Sequence, residues 1–145
     1  QLEIPSGQIL HTAELDNGPV WQAFHLQSAD AVLALDSSRV RWPEYRALGF
    51  IGAHPAGSEC DYEVRMLAPS SGMSEDPITG SLNSALAHWL QARGQLDERV
   101  TVAQGTSIGR HGRVSIRPLA AGKVMIGGQT HILIEGTLQL QGQSA

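Results

Sequence analysis

Glu75-Asp76-Pro77-Ile78-Thr79-Gly80-Ser81-Leu82-Asn83-Ser84-Ala85-Leu86-Ala87-His88-Trp89-Leu90-Gln91-Ala92-Arg93-Gly94 is the stretch whose reading decides the fold. Within it Leu82, Ala85, Leu86, Trp89 and Leu90 recur at three- and four-residue spacing, the period of a helix, and Gly94 stands at its C-terminal cap. With Ala87 added, most faces of this helix are apolar or small. It is therefore expected to be surrounded, not docked on one side, with Trp89 on its inner face. A surrounded helix needs a sheet that curves round it.

The flanks supply strands in period two. Gln8–Leu15 alternates apolar and polar residues, Asp16-Asn17-Gly18-Pro19 is a turn, and Val20–Leu26 reads as the returning strand of a hairpin. The stretch from Ala29 to Leu35 fits either regular form. Asp36-Ser37-Ser38 reads as a cap opening an irregular helix to about Leu48, weakened by Pro43. Phe50–His54 and Tyr62–Leu67 read as two strands, and a polar loop follows the strand end near Ala68 and leads to the central helix, which opens around Thr79-Gly80-Ser81. Beyond Gly94, strands are expected at Val100–Ala103, Gly112–Arg117, Lys123–Ile126 and from Thr130 to Leu140, with Gly127-Gly128 as a tight hairpin between the last two. The expectation is an α+β fold: about eight strands in a mainly antiparallel, curved, barrel-like sheet around one central helix, forming a single domain over residues 1–145.

Composition agrees and excludes much. The chain of 145 residues is 41% hydrophobic and 17% charged, in the range of ordinary folded domains and outside that of disordered or fibrous chains. No apolar run approaches the roughly 20 residues of a membrane-spanning helix. A net charge of −4 with scattered Lys and Arg argues against nucleic acid as partner. The single cysteine, Cys60, excludes an internal disulfide framework and a cysteine-based zinc site, and points to a reducing, cytoplasmic compartment. Glycine is in excess, 16 of 145 or about 11% against a usual ~7%, as numerous tight turns require. Gln1-Leu2-Glu3-Ile4 lacks the basic and apolar regions of a signal peptide. With Gln1 first, the chain is expected to be processed or part of a longer protein.

The chemistry is concentrated where the strand ending near Ala68 runs through its loop into Thr79-Gly80-Ser81. Unpaired N–H groups at a helix start, at the positive end of its dipole, form an anion site. Gly80 lets a ligand approach the backbone, Ser81 adds a hydroxyl, and the acid pair Glu75–Asp76 lies one turn away. A carboxylate-bearing small molecule suits such N–H groups, with Asp76 placed to bind its polar substituents or move a proton. The same residues also read as a plain helix cap, since Asp, Ser and Thr are the usual N-caps and Pro is common in the first turn.

Glu75-Asp76-Pro77-Ile78-Thr79-Gly80-Ser81 followed by Ala85-Leu86-Ala87 resembles the signature of the phenazine-biosynthesis PhzF-like family, within the diaminopimelate-epimerase-like superfamily. Arg65-Met66-Leu67-Ala68-Pro69, Gln104-Gly105, Ile108-Gly109-Arg110, Gly112-Arg113-Val114 and Gly127-Gly128 with Gly136-Thr137-Leu138 follow in the family's order, so the resemblance runs from about Ser6 to Leu140. It implies a fold of two similar halves with the active site between them, of which this chain resembles the second, C-terminal half. It also implies a cofactor-independent isomerase that moves a proton on a small carboxylic acid, without metal, nucleotide or flavin. Asp76 and Ser81 match the proton-handling and substrate-binding positions and Gly80 the N–H cradle, with Glu75, Thr79 and Arg110 as further substrate-binding candidates. The family's catalytic glutamate and a histidine in a Cys-Gly-His-Ala-like turn belong to the first half and have no counterpart here, because Cys60 is followed by Asp61. With no cysteine near Asp76, a two-thiol racemase is disfavoured.

Partners expected on this reading are a small carboxylate and either an N-terminal half-domain or a second copy of the chain in a two-fold dimer. The alternatives are a non-catalytic small-anion binding or self-associating module, and a structural domain in which the turn only caps. His11, His25, His54, His88, His111 and His131 make no metal-binding spacing, so no metal is expected. Cys60 between Glu59 and Asp61 reads as a spectator thiol, and Gly105–Arg110 as a turn. Trp21, Trp42 and Trp89 are too dispersed for a stacking platform.

Overall fold

Helix α2 runs from Gly80 to Ala92 and carries Leu82, Ala85, Leu86, Ala87 and Leu90 into the core. Leu82, Leu86 and Leu90 are fully buried, each contributing on the order of 2–3 kcal/mol of apolar transfer. The helix ends as its glycine requires: Gly94 has φ +64°, and the Gln95 N–H donates to the Leu90 carbonyl at 2.9 Å. In this computed structural model, residues 2–40, 47–68 and 73–139 are described.

Among the described residues, eight strands form one sheet around that helix. They are β1 (Ile9–Asp16), β2 (Val20–Leu26), β3 (Ala47–Ala53), β4 (Tyr62–Ala68), β5 (Met73–Asp76), β6 (Val100–Gln104), β7 (Gly112–Pro118) and β8 (Val124–Gly128). The order is β1-β2-β3-β4-β6-β7-β8, with β5 paired to β4. Five pairings are antiparallel, while β2–β3 and β4–β6 are parallel. The sheet curves without closing, and α2 packs against β1 at one end and against β7 and β8 at the other. The α+β expectation therefore holds, a mainly antiparallel sheet wrapped round one dominant helix.

The period-two pattern sorts side chains to two faces. Trp21, Ala23, Ile51, Val64, Met66, Val102, Val114 and Ile116 point inward with the α2 leucines. Leu26, Phe50 and Leu67 point outward, where helix α1 (Ala29–Leu33) covers them with Ala31 and Val32. The ambiguous segment after Leu26 is thus helical, opened by Ser28, whose hydroxyl accepts the Ala31 N–H at 3.2 Å.

Four expectations are corrected. Asp36 does cap, accepting the Ser38 N–H at 3.0 Å, but it opens only a 3-10 turn at Ser37–Arg39. Ala47 and Leu48 are already strand, paired with Trp21 and Gln22, while residues 41–46, with Trp42 and Pro43, lie outside the described residues. The polar segment before the helix contains strand β5, whose polar composition hides its pairing with β4; residues 69–72 of that loop also lie outside the described residues. Gly127 and Gly128 are not a hairpin turn: they belong to β8, opposite Ser115 and Val114. Residues 129–139 form no regular element. Ile132-Leu133-Ile134 breaks the alternation a half-buried strand needs, and these side chains are exposed. Leu140 lies outside the described residues.

Candidate functional site

Strand β5 and helix α2 are joined by Pro77-Ile78-Thr79, with Thr79 at the N-cap in extended conformation (φ −124°, ψ 98°). Two glycines allow the neighbouring loop to approach this turn. A side chain on Gly112 would lie 2.7 Å from the Pro77 carbonyl oxygen, and one on Gly105 would lie 2.8 Å from it. Gly105 also has φ +85°, a conformation that favours glycine, and opens the turn Thr106–Ile108 that ends at Gly109. From the other side, Asn17 in the β1–β2 turn donates its side-chain amide to the Ser81 carbonyl at 2.8 Å, and is itself held by the Trp21 indole N–H at 3.1 Å.

Asp76 is half-buried at the end of β5, and its Oδ2 accepts the Thr79 hydroxyl at 2.6 Å. Behind it lies a fully buried amide pair. Gln104 Nε2 donates to the Thr79 hydroxyl oxygen at 2.9 Å and to the Asp76 carbonyl at 3.0 Å. Gln104 Oε1 accepts the Thr79 N–H at 3.1 Å and the Asn83 side-chain amide at 2.8 Å. Asn83 also donates to the Thr79 carbonyl at 2.9 Å, and its Oδ1 has no partner among the described residues.

The consequence falls on the helix N-terminus. Thr79 makes no side-chain cap bond, because its hydroxyl is engaged by Asp76 and Gln104. Helical pairing resumes only with the Asn83 N–H, which donates to the Thr79 carbonyl at 3.1 Å. The N–H groups of Gly80, Ser81 and Leu82 precede it, and Gly80 and Ser81 are exposed. A Cβ on Gly80 would meet nothing within 4 Å, and its φ is not positive, so neither packing nor backbone geometry calls for glycine there. What its missing side chain does provide is access to the backbone.

The candidates thus separate. Asp76, Thr79, Gly80 and Ser81 share the turn. Arg110 belongs to the loop beside it, its N–H donating to the Gly105 carbonyl at 2.9 Å, with an exposed side chain. Glu75 points the other way. It is buried and held by Arg65, Nε to Oε1 at 2.9 Å and NH2 to Oε2 at 2.6 Å. Arg65, 2% exposed, spends its third nitrogen on the carbonyls of Val32 at 3.2 Å and Leu35 at 2.6 Å, at the end of α1. Gln104, Asn83 and Asn17 are the site residues that sequence reasoning missed. Gln104-Gly105 at a strand end was the one visible signal.

Elsewhere, Cys60 is 5% exposed, and burial, ahead of its acidic neighbours, pushes its thiol pKa up. No helix among the described residues is long and apolar enough to cross a membrane.

Comparison with known proteins agrees with this fold. The profile of the phenazine biosynthesis-like protein family (PhzC-PhzF) matches residues 7–136. An uncharacterized isomerase of Pseudomonas aeruginosa is 31% identical over 111 residues, covering 76% of this chain and 40% of that protein. The trans-2,3-dihydro-3-hydroxyanthranilate isomerase of Pseudomonas fluorescens is 34% identical over 102 residues, covering 65% of this chain and 34% of that protein. The chain therefore spans well under half the length of these two relatives. The crystal structure of an Enterococcus faecalis phenazine biosynthesis protein of the PhzF family shares the fold, with TM-score 0.58 and 16% identity over 89% of this chain and 50% of that one. The chain belongs to the phenazine biosynthesis-like protein family.

Proposed function

We propose that this chain is the carboxylate-cradling half of a cofactor-independent isomerase that acts on a small carboxylic acid by acid/base proton transfer. The observation that carries the reading is the start of α2 without a side-chain cap: the N-cap threonine gives its hydroxyl to Asp76, and the first-turn N–H groups of the exposed residues Gly80 and Ser81 are left to a ligand. A substrate carboxylate on these groups is stabilised by fixed dipoles that need no rearrangement during reaction. The Ser81 hydroxyl adds a donor, and the exposed Arg110 lies on the loop beside the turn. Asp76 is within reach of a ligand so held and receives a proton from one carbon or returns it at another; atoms and charge balance, as an isomerisation requires. The principal acid/base partner would come from a companion half. Glu75, enclosed by Arg65, fixes strand β5 in this reading and does not meet substrate.

The test is a titration of the 15N-labelled chain with anthranilate, a ring-bearing amino carboxylate like the one in the name of the Pseudomonas fluorescens relative. Amide shifts centred on Gly80 and Ser81 are expected. Asp76→Asn retains an acceptor for the Thr79 hydroxyl, so its stability should change by about 1 kcal/mol or less. Shifts absent from these amides, or centred elsewhere, would overturn the reading.

A second reading, a self-associating or anion-binding module without catalysis, is favoured by one surface. Ile132, Leu133, Ile134 and Leu138 are 83–91% exposed, an apolar run of the kind a partner covers. A companion half-domain or a second copy would cover it, and a concentration-dependent dimer by light scattering would support the second copy.

A further inference from the structure

We propose that Gln104 is the positioning residue of this site, holding the Thr79 hydroxyl on Asp76 and off the helix N-terminus; the inference rests on the anion-cradle reading above. A threonine at the N-cap ordinarily accepts the N–H of the second or third helical residue, here Ser81 or Leu82, which would compete with a ligand at the helix start. Gln104 prevents this with both ends of its amide. Its orientation is fixed, because the Thr79 main-chain N–H can only donate and must face Oε1, at 3.1 Å. Nε2 therefore faces the Thr79 hydroxyl oxygen at 2.9 Å and the Asp76 carbonyl at 3.0 Å. With its oxygen already accepting, the hydroxyl directs its single proton to Asp76 Oδ2, at 2.6 Å. The four bonds leave Gln104 fully satisfied at 0% exposure, and Asn83 buttresses its oxygen at 2.8 Å. One buried amide thus sets the side chain of the cap, the orientation of the carboxylate and the availability of the Ser81 N–H group beside that of Gly80.

The experiment is benzoate titration of the 15N-labelled 145-residue chain, reading the Gly80 and Ser81 amides in four forms: native, Gln104→Met, Thr79→Val, and the two substitutions combined. Gln104→Met frees the Thr79 hydroxyl to cap the helix, so affinity should fall at least tenfold. Adding Thr79→Val removes the competing cap, and most of the lost affinity should return. A role limited to supporting the turn would give no such recovery. If Gln104→Met does not fold, Gln104→Glu keeps the acceptor for the Thr79 N–H and Asn83 but replaces both donors with an oxygen that draws the hydroxyl proton from Asp76. It too should bind at least tenfold more weakly. Native binding with an unchanged Gln104→Met, or with an unchanged Gln104→Glu where that form is used, overturns the positioning role and leaves the cradle standing. A combined variant as weak as Gln104→Met alone also overturns it. A native chain without shifts at Gly80 and Ser81 removes the cradle and the positioning role together.

Discussion

Replacing Arg65 by methionine should destabilise the chain by about 4 kcal/mol, a large part of the 5–15 kcal/mol that holds a typical domain folded. The value follows from what the guanidinium touches. Two of its nitrogens form a fork on Glu75 at 2.9 and 2.6 Å, both residues being almost wholly buried. Removing one partner of such a pair leaves an uncompensated carboxylate in a medium that solvates it poorly, a cost of roughly 3–5 kcal/mol. The third nitrogen donates to the carbonyls of Val32 and Leu35, two acceptors at the end of α1 worth about 1 kcal/mol each when satisfied. Water entry recovers some of this, which keeps the total near the middle of the range. Arg65→Lys should also be costly, since an ammonium cannot serve the fork and the two carbonyls together. Urea unfolding of native, Arg65→Met, Glu75→Leu and the combined variant measures the coupling. The combined variant should be more stable than either single one, because it buries no unpaired charge and retains only the lost bonds to the α1 carbonyls. A loss below about 1 kcal/mol for Arg65→Met, or a combined loss equal to the sum of the single ones, would refute the reasoning and return Glu75 to the list of ligand-binding candidates.

Three further outcomes are expected. Gly80→Ala should fold with stability unchanged or raised by up to about 1 kcal/mol, since its methyl enters open space, yet bind benzoate less tightly; Gly112→Ala, whose methyl would lie 2.6 Å from the Gln104 carbonyl oxygen, should cost roughly 1–3 kcal/mol by urea unfolding. Burial, then the positive fields of His11 and Arg93, hold the His25 pKa below its ordinary 6.5. The unfolded chain then takes up the proton first, so stability present above about pH 6.5 should be lost as the pH falls below it, and His25→Leu should flatten unfolding free energies measured between about pH 5 and 7.

The sequence by itself determined the central helix, where it starts and the glycine that ends it, the β1–β2 hairpin and most strands, because each rests on local chemistry: a period of 3.6 or 2, an Asp-Asn-Gly-Pro turn, a glycine at Gly94. It also determined the family, through the Glu75–Ser81 signature and its flanks, and located Asp76, Thr79, Gly80 and Ser81 on one turn. Only the tertiary structure decided how those residues divide their work. Glu75 and Asp76 are adjacent in sequence, but on a strand adjacent side chains face opposite ways, so one pairs with Arg65 behind the sheet and the other meets Thr79. That β5 is a strand at all depends on pairing with β4, a nonlocal bond invisible in a polar tetrapeptide. The place of Gln104 is set across a separation of 25 residues, where sheet order brings the end of β6 beneath the start of α2. The segment after β8 shows the converse: its apolar residues read as a strand, but Ile132-Leu133-Ile134 breaks the alternation a half-buried strand needs, and these side chains are left exposed. Local periodicity selects the elements; hydrogen bonding between distant segments selects which side chains meet.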